Sequence, residues 1–312
     1  APPRRSQAGA EFCSTYCLEA FDDEEPAPAD DAYKRFDTGV EPLDSLVPGG
    51  FPADALLLVS GEEGTRRSEL LTELLWRGLE REEPVAVVAY ANPPTAVLED
   101  FFRLGWNPLP ALEADRLRIV DCFTHRLEDR ETSVSALNDW NRFLDGAIDD
   151  AVVEVREPED VREVESGLES AIADLELVET GLITIDSLDE LAALVQEELI
   201  HNFLKEIRAT VSRARYVPIV AGATAEAETY PAGDEYVFDG IVDLRVSEEP
   251  GQPGQLKRLS VRKLAGTAYV PRWATYEGRP DRGVFGFDPA EANGVYDFGT
   301  ETLPPRPRPE DR

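Results

Sequence analysis

The 312-residue chain contains no methionine, two histidines and three cysteines, and only four of its 31 basic residues are lysines (Lys34, Lys205, Lys257, Lys263). Each shortage excludes something. His125 and His201 have no partner at ligand spacing, so both read as surface or half-buried residues without chemistry. Cys13 and Cys17 form a C-x3-C pair with Cys122 far away, which is neither a disulfide framework nor a zinc signature. They read as free thiols of a reducing cytosol. One helical turn would place Cys13 beside Cys17, which keeps a metal or redox role as the alternative. No apolar run approaches a membrane span and no signal-peptide pattern opens the chain, so the expectation is a soluble, cytoplasmic protein without a membrane partner. The start "APPRRS" reads as a chain whose initiator was removed or left out.

Charge is abundant, and of one sign. Asp and Glu total 63 against 31 for Lys and Arg, a net charge of −32. Such a surface repels itself in ordinary buffer and needs counterions to stay compact. Acid excess with few lysines predicts the salt-saturated cytoplasm of an extreme halophile, the alternative being an acidic regulatory protein. Either way the charge disfavours nucleic acid as a partner.

Residues 1–32 include "DDEEPAPADD" and read as a disordered acidic tail, with a short helix around "EFCSTYCLEAF". Residues 279–312 are rich in Gly and Pro and read as a second extended or disordered tail. Between them, over 33–278, continuous apolar runs at 55–60, 85–90, 116–122, 182–186 and 217–223 alternate with helical patterns at 67–80, 94–104, 133–148, 160–177 and 188–215. Continuous rather than alternating runs predict parallel strands covered on both faces, hence a doubly wound α/β domain. The whole stretch 134–178 reads as helical, with part of it covering the sheet. Residues 240–249 and 256–264 flank the turn signal "PGQPGQ" and predict a C-terminal antiparallel hairpin, with 272–277 as a third strand. Trp76, Trp106, Trp140 and Trp273 read as packing anchors.

A candidate phosphate-binding loop follows the first run. Against G-x-x-x-x-G-K-[ST], residues 61–68 supply Gly61, Gly64, Thr65, Arg66, Arg67 and Ser68. Arg66 stands where the last glycine belongs and Arg67 where the lysine belongs. Arginine keeps the charge but is bulkier and planar, so the exchange is not conservative. Glu62 and Glu63 add negative charge beside a site for polyanions. The bland alternative is a strand–turn–helix connection that needs its glycines only for the turn. The run "LITID" ends in Asp186, the type of carboxylate that reaches Mg2+ from a strand end, unless it merely caps the following helix. Ser68 and Asp186 are the candidate magnesium ligands. The carboxylate that would activate water is missing, since the strand 85–90 leads into Ala91 and Asn92 and then Pro93 and Pro94, which open the next helix.

Taken in order, "FDTGVEPLDSLVPGGFPADALLLVSGEEGT", "EPVAVVAYANPPTAVLEDFFRLGW", "RLRIVD", "ITIDSL", "FDGIVDLRVSEE" and "RLSVRKLAGTAYVPRW" resemble the RecA-like domain of KaiC/RadA-type ATPases over residues 34–277. The resemblance implies a RecA-like P-loop NTPase fold, ATP and Mg2+ as cofactors, and ring or filament assembly with nucleotide between subunits. Working members of that family carry paired glutamates where this chain has Ala91 and Asn92. They also carry a Lys-x-Arg-Gly segment that reaches a neighbour's nucleotide. Here that segment is "KLAGTAY": Lys263 and Gly266 fit, Ala265 replaces the arginine, and Tyr269 stands where a histidine is common. With the loop lysine gone as well, three separate elements depart. The expectation is a KaiC-like pseudo-ATPase with weak or no ATP binding and no catalytic residues, acting as a regulator or scaffold in signal transduction through a protein partner or its own copies. Two alternatives stay open. One is a slow ATPase using Arg67, Ser68 and Asp186, with Asp121 assisting. The other is an accessory to DNA recombination or repair.

Overall fold

A computed structural model of the chain describes residues 34–127, 138–225, 235–248, 255–280 and 282–289, together with the backbone of 5–7 and 10–12. Cys13, Cys17 and most of both expected tails lie outside the described residues. Two units are separated, 1–34 and 35–312. In the first, Arg5–Gln7 pairs antiparallel with Ala10–Phe12.

The second unit is built on a ten-stranded sheet. In chain order its strands are β1 (Leu56–Gly61), β2 (Val85–Ala89), β3 (Leu117–Asp121), β4 (Val152–Glu154), β5 (Leu182–Ile185), β6 (Ile219–Thr224), β7 (Gly240–Glu248), β8 (Gln255–Leu264), β9 (Ala274–Arg279) and β10 (Gly283–Gly286). Their spatial order is β10-β9-β8-β7-β1-β6-β5-β2-β3-β4. From β7 to β4 every pairing is parallel. The pairings β7–β8, β8–β9 and β9–β10 are antiparallel. This is the expected mostly parallel sheet with a C-terminal antiparallel hairpin.

Burial on both faces explains the unbroken apolar runs. Leu57 and Val59 of β1 join one core with helices α1 (Arg67–Glu80), α2 (Pro94–Arg103) and α3 (Asp139–Ile148). Leu56 and Leu58 join the other with α4 (Val161–Asp174), α5 (Leu188–Leu194) and α6 (Glu197–Ile207). Pro93 is the N-cap of α2 and Pro94 its first residue, where a missing N–H costs nothing. Trp76 of α1 stacks on Trp106 with centroids 5.6 Å apart, and Trp140 of α3 meets Phe102 of α2 edge-on. Trp273 lies under the Arg245 guanidinium.

Three elements differ from the expectation. The pattern over 188–215 is not one helix, because Val195 and Gln196 are extended and separate α5 from α6. The break resets the phase, so that Ile200, Phe203, Leu204 and Ile207 face the core at helical spacing. The region 134–178 is interrupted by β4, a three-residue edge strand too short to impose a period. The sheet also continues into the stretch expected to be a C-terminal tail. There β10 buries Val284 and Phe285, although its ends are glycines.

Side chains brought from far away hold β10. Glu73, buried in α1, accepts the Val284 amide and also pairs with Arg77. Glu41 accepts the Gly286 amide at 2.7 Å. Burial pushes the Glu73 carboxyl above its ordinary pKa, against the hydrogen bonds from Val284 and Arg77. Gly283 has φ +76, and a Cβ there would stand 2.4 Å from a Glu73 oxygen, so only glycine fits.

Candidate functional site

The candidate loop lies at the C-terminal end of β1, where open α/β sheets place ligands. Its neighbours fix its ends. The Ala225 amide donates to the Gly61 carbonyl at 3.0 Å and the Glu62 amide to the Leu244 carbonyl at 3.1 Å. Inside the loop, Thr65 is buried and its hydroxyl donates to the Glu62 carbonyl at 2.6 Å. A Cβ on Gly61 would meet that hydroxyl at 2.9 Å, which is why glycine stands there. The Glu62 carboxylate turns away from the loop and accepts the Val246 amide of β7 at 2.9 Å.

Gly64 has φ +81. Arg66 also takes the left-handed region, φ 59 and ψ 40, as the residue before α1. A side-chain-bearing residue is strained there by about 1 kcal/mol. The backbone therefore keeps a left-handed residue at a position expected to hold glycine, although the glycine is gone.

The two arginines leave the loop in different directions. Arg66 runs to β9, where Nη1 donates to the Gly278 carbonyl at 3.2 Å and Nε lies 3.9 Å from Glu277. Arg67 runs across the strand ends. Its Nη1 donates to Thr224 Oγ1 of β6 at 3.2 Å and stands 3.5 Å from Asp189, at the start of α5. Asp189 in turn accepts the Thr224 amide at 2.7 Å. Gly222 leaves room for this path, since a Cβ there would sit 3.3 Å from Arg67 Nε. That Nε is buried and makes no hydrogen bond. Ser68 lies exposed on the first turn of α1.

Asp186 follows β5 directly. One carboxylate oxygen accepts the Tyr90 amide at 2.8 Å and the other the Ala91 amide at 2.9 Å. Burial pushes its pKa up to about 6, opposed by hydrogen bonds from these amides and from Ser187, and by the charge of Arg67. Asp186 does not cap α5. The N-cap is Ser187, which accepts from Glu190 N. Thus Arg67 is brought near Asp186, while Arg66 and Ser68 are not joined to it by any hydrogen bond or ion pair among the described residues. After β2, Ala91 and Asn92 offer no carboxylate, and Arg126 donates to the Tyr90 carbonyl and to Glu190, both at 2.9 Å.

Asp121 holds a strand-end turn, accepting the amides of Phe123 and Thr124 at 2.9 Å. Cys122 is buried and its thiol is pushed well above the usual range by desolvation. His125 lies against Glu154 and His201 against Tyr236. Among the described residues no group of three or more His, Cys, Asp or Glu could hold a metal. No described helix is long and apolar enough to cross a membrane. The segment "KLAGTAY" starts on the last two residues of β8, whose Leu264 stands opposite Gly240, itself level with Leu57. That is the other end of the strands from Gly61. Lys263 there donates to the Glu235 carbonyl and Tyr269 to the Arg262 carbonyl.

Thr224, Asp189, Tyr276 and Glu277 were not among the expected site residues. Asp189 had a readable signal, a second acid one helical turn after Asp186. The others had none.

Residues 36–285 match the family described as "ATPase: KaiC". The chain belongs to the KaiC ATPase family. A UPF0273 protein of Thermotoga maritima is 26% identical over 254 residues, 80% of this chain and 95% of that protein. The UPF0273 protein PH0284 of Pyrococcus horikoshii is 25% identical over 240 residues, 77% of this chain and 88% of its own length. The crystal structure of the KaiC-like protein PH0186 from Pyrococcus horikoshii has a similar fold. Its TM-score is 0.62 at 17% identity, over 82% of this chain and 100% of that one. At that identity the likeness shows the fold alone.

Proposed function

We propose that this chain is a KaiC-family protein that has left catalysis, a regulator or scaffold that works through protein partners or its own copies in signal transduction. The observation that carries the reading is the direction of Arg67. A loop lysine serves by setting a compact ammonium against the terminal phosphates. The guanidinium that replaces it is engaged with Thr224 and Asp189 instead. The supporting acid is occupied too, since each oxygen of Asp186 holds a backbone amide. No carboxylate stands at 91 or 92 to orient water. The residues present do not fit a magnesium–triphosphate in the family's manner. The −32 charge argues against nucleic acid and for a salt-rich setting.

A specific observation favours a second reading, a slow ATPase. The loop backbone keeps its left-handed residues at Gly64 and Arg66 and leads into the N-terminus of α1, a ready place for an anion.

Calorimetric titration with Mg-ATP in multi-molar KCl separates the two, paired with phosphate release by wild type and Asp186→Ala. The proposal expects weak or no binding and no phosphate release that responds to the substitution. Tight binding with release abolished by Asp186→Ala would establish the ATPase instead.

A further inference from the structure

Arg66 adopts a left-handed conformation that nothing in an arginine favours. What holds it comes from β9, far along the chain. Tyr276 is buried, and its hydroxyl donates to the Thr65 carbonyl at 2.6 Å. That carbonyl belongs to the peptide plane immediately before Arg66, so the bond fixes one side of the Arg66 φ rotation. The Arg66 side chain, on the other side of the rotation, donates from Nη1 to the Gly278 carbonyl and to Glu69 of α1, both at 3.2 Å, and lies beside Glu277. Glu277 is itself buried and held by Lys257 Nζ at 2.9 Å to both oxygens. One strand therefore carries the handle on the Thr65 side and part of the hold on the side chain, the rest coming from Glu69 on α1 itself.

That strand is anchored through its partner. β10 pairs with β9 at the edge of the sheet, and it is held to the body by Val284 in the core, by the Val284 and Gly286 amides donating to Glu73 and Glu41, and by Arg77 donating to the Arg282 carbonyl beside it. Glu73 lies on α1, the helix that begins at the loop. The hairpin thus grips α1 at its start and again two turns later.

We propose that the β9–β10 hairpin is a strap that sets the loop backbone at Thr65–Arg66, doing from outside what a glycine would do from within. Docking of β10 and the shape of the loop are then one coupled event. A glycine at position 66 would cut the coupling, because it holds a positive φ without help. The coupling is a property of the chain alone and stands whether or not the loop takes a nucleotide.

The test is amide hydrogen exchange on the full chain in multi-molar KCl, without nucleotide. Tyr276→Phe removes one buried hydrogen bond and keeps the ring, and should speed exchange over 62–68 on the order of tenfold. Helix α4, on the other face of the sheet, should be unchanged. In the Arg66→Gly background the same substitution should have less than about a third of that effect. Gly283→Val, which collides with Glu73, should speed exchange over 282–287 and 62–68 together. Equal effects of Tyr276→Phe in both backgrounds, or loop exchange at the wild-type rate once β10 is loosened, would overturn the strap. If Gly283→Val fails to fold, the Tyr276→Phe pair decides alone.

Discussion

The Asp186 carboxylate accepts the Ala91 amide at 2.9 Å, so the acid that ends one strand closes the turn after its neighbour. The buried carboxylate acts as a backbone clasp, and burial raises its proton affinity against the pull of those same amides.

Burial raises Asp186 from 3.8 to about 6. Between those values the folded chain keeps a proton that the unfolded chain has lost. Its contribution to stability is therefore full below about pH 4 and disappears as pH rises through 6. Asp186→Asn lacks this loss. Its stability relative to wild type should climb between about pH 4 and 6 by about 2–3 kcal/mol and be level above pH 7. The amide group that asparagine turns toward one backbone N–H adds a cost that is the same at every pH. Denaturant unfolding across the range measures the slope, and a flat difference would refute the buried ionisation.

Asp239 behaves in the opposite sense. Burial works to raise it, but hydrogen bonds from Arg208 and the Leu56 amide, with the charges of Arg208 and Arg213, carry it below the ordinary carboxylate range. Its stabilisation is present above about pH 4 and lost as pH falls through the lowered value. Asp239→Ala should cost about 2–4 kcal/mol at neutral pH, because the Leu56 amide and two guanidinium groups lose their acceptor. The penalty should shrink in acid, as thermal unfolding at several pH values would show.

Gly222→Ala and Gly146→Ala make a matched pair. A Cβ on Gly222 would lie 2.8 Å from both the Asp186 carbonyl and Leu71, whereas one on Gly146 would meet nothing within 4 Å. The first should destabilise by about 1–3 kcal/mol through overpacking. The second, inside α3, should stabilise by up to about 1 kcal/mol through helix propensity. Opposite shifts in Tm are the expected result.

On the proposed reading, putting the family residues into the loop should add nucleotide chemistry in steps. Arg66→Gly with Arg67→Lys removes the guanidinium from Thr224 and Asp189 and should raise affinity for Mg-ATP at least about tenfold, since a compact ammonium then faces the loop. Adding Ala91→Glu should bring phosphate release above the double variant. If the double variant binds no better than wild type, the direction of Arg67 does not limit nucleotide binding.

The sheet was legible because its signal is local. Val85–Ala89 and Leu182–Ile185 are short apolar runs rich in β-branched residues, which suits strands covered on both faces. Pro93 and Pro94 marked the start of α2 for an equally local reason. β10 was not legible, because its two glycines oppose a strand and distant partners, Glu73, Glu41, β9 and the core that buries Val284 and Phe285, make it one. At the site, the sequence named Arg66, Arg67 and Asp186 but not their destinations. A long side chain goes where an acceptor waits, and the acceptors are Gly278 and Thr224, set in place only by the folded sheet. The N-cap reading of Asp186 missed by one residue, because the strand ends one position earlier and Ser187 takes the cap.

The clasps on β10 have a consequence for crowded solutions. Its outward amides at Val284 and Gly286 are already donated to Glu73 and Glu41, so a foreign strand arriving at this rim would find two of its bonds spent and two carboxylates in the way. Growth by sheet extension is disfavoured along that rim, where an arriving copy meets two carboxylates in place of two free amides.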